Sequence, residues 1–250
     1  MFSLLLQCSP SEEDLLIADL AEAGTAGVAE EDGALRAFFD DLLDSAALIA
    51  RFARYAPELH RERETDWEQV TRDAWPPLLI GTRFYLVPPW HTGPAPDGRL
   101  RLEVNPGMAC GTGWHPCTQL CLEALESYVR PGDSVLDVGS GSGILSLGAS
   151  LLGAQRVIGC DHDHQAVVTA RERVPCPAFT GSADAIRSGS MDVIVANISS
   201  AAIEDLAEEF MRIRRPRSTL ILSGFPEWDP VEGFPVKLRM QKDEWLCLVC

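Results

Sequence analysis

Residues 135–143 read Val-Leu-Asp-Val-Gly-Ser-Gly-Ser-Gly, and this stretch most narrows what the chain can become. An apolar run of strand length feeds three glycines at alternate positions, and a helix candidate opens at Ile144. Glycines there permit a tight turn and let a ligand approach the backbone at the start of a helix. The same alternation continues downstream. Apolar runs at 134–138, 156–160, 192–198 and 219–223 alternate with helix candidates at 116–128, 144–152, 165–173 and 201–213. This specifies an α/β fold, a doubly wound and mostly parallel sheet covered on both faces. Two more strand candidates, 236–241 and 245–249, follow without a full helix between them, so they pair antiparallel at the sheet edge.

Residues 1–66 have a different rhythm. Strand candidates at 2–7, 26–30, 35–39 and 59–64 are interleaved with helices at 11–24, N-capped by Ser11, and 45–55; Asp32-Gly33 marks a hairpin. The order β-α-β-β-α-β is the split, ferredoxin-like plan. This segment holds 15 acids and 5 arginines, a net −10. Residues 67–99 read as a connector rich in Pro, with Trp67, Trp75 and Trp90, which suggests that it packs on a domain. Residues 100–250 carry the α/β pattern.

The whole chain of 250 residues has a net charge of −16. Such a surface repels phosphate backbones and anionic membranes, and favours a basic partner. No apolar run reaches the length of a membrane span, and the opening Met1–Cys8 reads as a first strand and not a signal peptide. The eight cysteines read as reduced thiols of a cytoplasmic protein. No metal site is expected.

The second strand of the α/β part ends at Asp161, where doubly wound nucleotide folds place an acid on the ribose hydroxyls. A carboxylate suits a diol because it only accepts hydrogen bonds. The plain alternative for Asp161 is helix capping with Asp163. Asp137 lies inside the first strand, where an unpaired carboxylate is costly, so a cationic partner such as a bound ammonium is expected. The spacing G-x-G-x-G lacks the glycine that a dinucleotide fingerprint needs at position 144, which disfavours a nicotinamide-dependent oxidoreductase. His162 and His164 read as solvated residues of a helix start.

Together, Gly139, Gly141, Gly143 and Asp161 resemble a class I S-adenosylmethionine-dependent methyltransferase. That resemblance implies a seven-stranded sheet, S-adenosyl-L-methionine as cofactor, and Asp184 on the adenine amino group. Upstream, residues 105–118 read Asn-Pro-Gly-Met-Ala-Cys-Gly-Thr-Gly-Trp-His-Pro-Cys-Thr. With Val195-Ala-Asn-Ile198, Leu222-Ser-Gly224, Glu244-Trp245, Gly81-x-Arg83 and Pro89-Trp90, this run is similar to the PrmA family, which methylates the large-subunit ribosomal protein numbered eleven. The resemblance implies cofactor contacts at Thr118, Gly139, Asp161 and Asn197, and a substrate-recognition role for residues 1–66. The sequence departs from the family pattern at Cys110, Cys117, Ser140 and Ser199, and Cys110 and Ser199 are expected to line the acceptor side. His115 is expected to orient its loop rather than act as a base.

The implied activity is transfer of methyl groups to lysine amines, with the N-terminal amine as a further acceptor, on the free ribosomal protein before assembly. Asn197 and Ile198 would hold the amine. A base methyltransferase would carry an aromatic after Asn197 for stacking a flipped base, and Ile198-Ser-Ser200 has none. Other readings are a methyltransferase of another protein or of a small molecule, and a non-catalytic cofactor-binding protein, from which a methylation assay separates an enzyme.

Overall fold

The computed structural model describes residues 1–9, 12–31, 34–61, 75–105 and 112–250. It divides into two compact units, Met1–Thr71 and Arg72–Cys250. In the first, β1 (Phe2–Gln7), α1 (Glu13–Glu22), β2 (Gly27–Glu31), β3 (Ala34–Phe39), α2 (Ser45–Arg51) and β4 (Glu58–Arg61) follow the expected order. The antiparallel sheet runs β2-β3-β1-β4. Strand alternation turns Phe2, Leu4, Leu6, Leu35, Ala37 and Phe39 into one core with Leu16 and Leu20 of α1. The second helix stops early, and Ala53–Tyr55 tightens into a 3₁₀ turn. Residues three apart eclipse in that geometry, and Phe52 and Tyr55 both enter the core. Asp44 caps α2 through its carboxylate. The expected Ser11 cap and Asp32-Gly33 turn lie outside the described residues.

The second unit begins with a small sheet of β5 (Leu78–Ile80), β6 (Phe84–Val87) and β7 (Leu100–Glu103). Ile80, Phe84, Leu86 and Leu102 are buried in one cluster with α3 (Pro116–Tyr128). The Pro- and Trp-rich stretch thus contributes core to the second unit. Trp75 packs edge-on against Trp114, whose indole N–H donates to the Pro76 carbonyl at 3.0 Å. Trp67 lies outside the described residues. Cys110 does too.

The large sheet contains β8 (Ser134–Val138), β9 (Arg156–Asp161), β10 (Ala178–Thr180), β11 (Met191–Asn197), β12 (Arg214–Pro226), β13 (Leu238–Lys242) and β14 (Trp245–Val249). Its order is β10-β9-β8-β11-β12-β14-β13. The first five are mutually parallel. The last strand of the chain is antiparallel, as expected, and it inserts between β12 and β13, so β13 forms the rim. Helices α4 (Ile144–Leu151), α5 (His164–Arg173), α6 (Ser200–Asp205) and α7 (Ala207–Ile213) complete the fold. The expected single helix over 201–213 is broken at Leu206, whose φ of −95° and ψ of 3° leave the helical region. Among the described residues, no helix is long and apolar enough to cross a membrane.

The strand order reverses at β8, with β9 on one side and β11 on the other. A crevice at the carboxyl ends of strands opens at such a switch point. Phe84 is fully buried in the second unit. Phe84→Ala is therefore expected to destabilise that unit by about 3–5 kcal/mol, read by urea unfolding of the full chain. A change within error would place residues 78–103 outside the folded core.

Candidate active site

The crevice holds a cavity of about 290 Å³ between the glycine turn, the ends of β9 and β11, and α6. Gly139, Ser140 and Gly141 form its floor, Asp161 and His162 one side, and Asn197 and Ile198 the other. Gly181 and Ser182, after β10, and Ala202 and Leu206 also line it. Among the described residues, no Lys or Arg does.

Asp161 ends β9 with its carboxylate turned to the glycine loop. One oxygen accepts from the Gly141 N–H at 2.9 Å and the other from the Asp163 N–H at 3.0 Å. Capping of α5 falls to Asp163, which accepts from the Gln165 N–H at 2.8 Å. A carboxylate has about four acceptor sites, so Asp161 retains capacity for a diol.

The opposite wall is an interlock around Ile198. Gly139 has a φ of +71°, and a Cβ there would overlap Ile198 Cγ2. Gly224 has a φ of +102°, and a Cβ there would overlap the Ile198 carbonyl oxygen and stand 2.7 Å from its nitrogen. The Ile198 N–H donates to the Ser223 carbonyl at 3.0 Å. Two glycines thus admit Ile198 from opposite sides, one its side chain and one its peptide. Gly143 does not line the cavity; a Cβ there would stand 2.7 Å from Val174 Cγ2, so its smallness serves the packing of α4 near the end of α5.

Asn197 Nδ2 donates to Thr118 Oγ1 at 3.2 Å, which joins two of the expected cofactor contacts. Thr118 is buried on α3, and the start of that helix is fixed by His115. His115 Nδ1 accepts from the Cys117 N–H at 3.3 Å, and its ring packs edge-on against Trp245 with centroids 4.7 Å apart. This is the orienting role expected of His115, and it gives the Glu244-Trp245 motif a physical purpose. Burial raises the thiols of Cys117 and Cys121 and pushes Cys160 up to about 12, so these cysteines are not thiolates near neutral pH.

Of the expected site residues, Thr118, Gly143, Asp137, Asp184 and Ser199 are not among those that line the cavity. Asp137 is fully buried, and its Oδ1 has no hydrogen-bond partner among the described residues. Its other oxygen accepts from the Ser146 N–H at 2.9 Å and the Ser146 hydroxyl at 2.7 Å, which ties β8 to α4. Asp184 sits in a 3₁₀ turn with its side chain exposed and outside the lining, while its carbonyl accepts from Arg212. Ser199 is exposed and caps α6, accepting from the Ala202 N–H at 3.4 Å. Ser182 is the residue that the sequence reading missed. Its hydroxyl and that of Ser140 are buried, line the cavity and have no protein partner. Buried polar atoms are normally satisfied, so two such hydroxyls at one cavity mark places for a ligand's polar groups.

Burial pushes Asp137 up to about 6, against the pull of its Ser146 hydrogen bonds. A carboxyl raised above its unfolded value of about 3.9 binds its proton more tightly in the folded state. Its contribution is therefore present below pH 4 and is lost as pH rises through 6. Relative to Asp137→Asn, the wild type should lose about 3 kcal/mol across that window, measured by urea unfolding at several pH values. A difference between the two that does not vary with pH would contradict this.

These features fit S-adenosyl-L-methionine. An acid is placed to take a diol, two unpartnered hydroxyls to take polar groups, the apolar part of the lining offers a surface for a flat base, and among the described residues the lining carries no Lys or Arg of the kind that phosphate would call for. Comparison with known proteins agrees. The family described as "Ribosomal protein L11 methyltransferase (PrmA)" matches over residues 9–250. A ribosomal protein L11 methyltransferase from Burkholderia cenocepacia (strain HI2424) is 46% identical over 195 residues, which is 74% of this chain and 65% of that protein. One from Burkholderia mallei (strain NCTC 10229) is 41% identical over 229 residues, 85% of this chain and 76% of that protein. The chain thus spans about two thirds to three quarters of the length of these curated relatives. Among solved structures, the ribosomal protein L11 methylase from Lactobacillus delbrueckii subsp. bulgaricus aligns with a TM-score of 0.62 at 25% identity, covering 69% of this chain and 96% of that one. With a matched segment that includes the glycine turn, Asp161 and the interlocked Asn197-Ile198 pair, the chain belongs to the PrmA family of ribosomal protein L11 methyltransferases.

Proposed function

We propose that this chain is a protein methyltransferase that transfers methyl groups from S-adenosyl-L-methionine to lysine amines of ribosomal protein L11. The observation that carries this reading is the cavity itself, with Asp161 on one side and the fixed Asn197-Ile198 pair on the other. In this reading, Gly139, Gly141, Asp161, Ser140 and Ser182 bind the cofactor, with Thr118 and Gly143 supporting them from behind. The N-terminal amine is a second acceptor class, the substrate is the free protein before ribosome assembly, and the reaction takes place in the cytoplasm. The net charge of −16 supports a basic protein partner over nucleic acid. Residues 1–66 recognise the substrate protein in this scheme.

When bound, S-adenosyl-L-methionine supplies a methyl group on a cationic sulfur, which a neutral amine attacks in line with the departing sulfur. The chain's own task is positioning, and holding a near-attack geometry is a large catalytic term. Asn197 is suited to this because one amide hydrogen is already engaged by Thr118, which fixes the plane of the side chain. Its Oδ1 and the Ile198 carbonyl are the acceptors for the amine's hydrogens. Desolvation in the cavity disfavours the ammonium form and so helps to expose the lone pair.

A free lysine titrates near 10.4, so single-turnover methylation at saturating cofactor is expected to accelerate as pH rises from neutrality. Asn197→Ala should lower that rate by about tenfold to a thousandfold, with the modified residue identified by mass spectrometry. Methyl groups on a carboxylate, thiol or nucleobase would overturn the amine assignment. A wild-type rate for Asn197→Ala would reduce Asn197 to a cofactor contact.

A further inference from the structure

Beside the cavity, a tight turn carries a large aromatic side chain that nothing in the core uses. β12 ends at Pro226, and the Asp229 N–H closes the turn on the Pro226 carbonyl at 3.2 Å. The turn is tied down on both sides. The Glu227 N–H donates to the Glu244 carbonyl at 2.8 Å, and the Glu227 carboxylate accepts from Gln241 at 3.0 Å. On the other side, the Asp229 carboxylate accepts from the Ser200 hydroxyl. Ser200 begins α6, between Ile198 and Ala202 of the cavity lining, so this bond ties the turn to the helix that borders the cavity. Between these two anchored acids stands Trp228, 72% exposed.

Turn positions ordinarily go to Gly, Asn, Asp or Ser. An indole open to solvent on a turn whose backbone is tied down has an available face. The turn itself is acidic: Glu227 and Asp229 flank Trp228 and Glu232 follows, while the nearest cation on the adjoining strands, Lys242, is engaged with Gln119. An aromatic face attracts a cation, Trp most strongly, and neighbouring carboxylates add to the attraction. Each anchored carboxylate uses only part of its acceptor capacity in holding the turn.

We propose that the Glu227-Trp228-Asp229 turn is a substrate-recognition element, in which the Trp228 indole receives a cationic side chain of the substrate protein next to the amine presented to the cavity. This rests on the methyltransferase reading above and extends it. Substrate selection is then shared between the N-terminal unit and the rim of the catalytic cavity, and the rim reads positive charge at short range.

Two measurements on the full chain test this, with Trp228→Ala, Trp228→Phe and the wild type compared at equal thermal stability. In the first, a trilysine peptide is titrated calorimetrically into protein saturated with S-adenosylhomocysteine. Trp228→Ala should bind it about threefold to tenfold more weakly, Trp228→Phe should recover part of the loss, and affinity for S-adenosylhomocysteine should not change. Equal peptide affinity in wild type and Trp228→Ala overturns the proposal. In the second, steady-state methylation of ribosomal protein L11 should show a higher KM for the protein in Trp228→Ala with kcat nearly unchanged. A wild type that does not methylate this protein overturns the function proposed above, and the peptide titration still decides the role of Trp228. An active wild type with the same KM as Trp228→Ala overturns the role of Trp228 alone.

Discussion

The site depends on how one residue, Ile198, is held between two backbones. Its side chain covers Gly139 at the mouth of the glycine turn, and its peptide lies against Gly224 at the end of β12. Neither approach is compatible with a Cβ, and both glycines adopt the left-handed φ that other residues resist. Three strand ends are thereby brought into one register: β8 through Gly139, β11 through Asn197 and Ile198, and β12 through Ser223 and Gly224. The cofactor floor and the acceptor wall are thus mechanically one object. Hydrogen bonds extend it outward, from Asn197 to Thr118 on α3, whose start is set by His115 packed edge-on against Trp245.

Other interactions set the frame around this interlock. Asp137 fixes the angle between β8 and α4 through Ser146, at the cost of burying a carboxyl, and that cost appears as its raised pKa. Asp161 pins the glycine turn to the end of β9. Asp137 is thus tied into the fold by one oxygen while its other oxygen has no partner among the described residues, and Asp161, the next acid along, contacts the glycine turn and lines the cavity.

Much of this was legible in the sequence, for identifiable reasons. The bounds of β8, α3 and β14 coincide with the sequence expectation, because Pro116 opens α3 at the position that proline favours and short apolar runs delimit the strands. The break at Leu206, a residue of the cavity lining, was not legible, since neither Gly nor Pro marks it. In the site, residue type and strand position pointed to Asp161, and the family resemblance to Asn197, and both line the cavity. Ser182 was not legible and Asp184 lies outside the lining, because the path of a loop into a 3₁₀ turn decides which side chain faces the cavity. Ser199 caps α6, as a serine directly before a helix is drawn to do.

The interlock has a direct test in Gly224→Ala. The added methyl group meets the Ile198 peptide and not the cofactor side of the cavity, so it should displace the acceptor wall alone. The decisive measurement is single-turnover methyl transfer together with calorimetric binding of S-adenosyl-L-methionine, on a variant whose folding is checked by circular dichroism. Turnover should fall about tenfold to a hundredfold, with cofactor affinity within twofold of wild type. Wild-type turnover in the folded variant, or a loss of cofactor affinity that accounts for the whole decrease, would contradict the view that Ile198 is held in place for the acceptor amine.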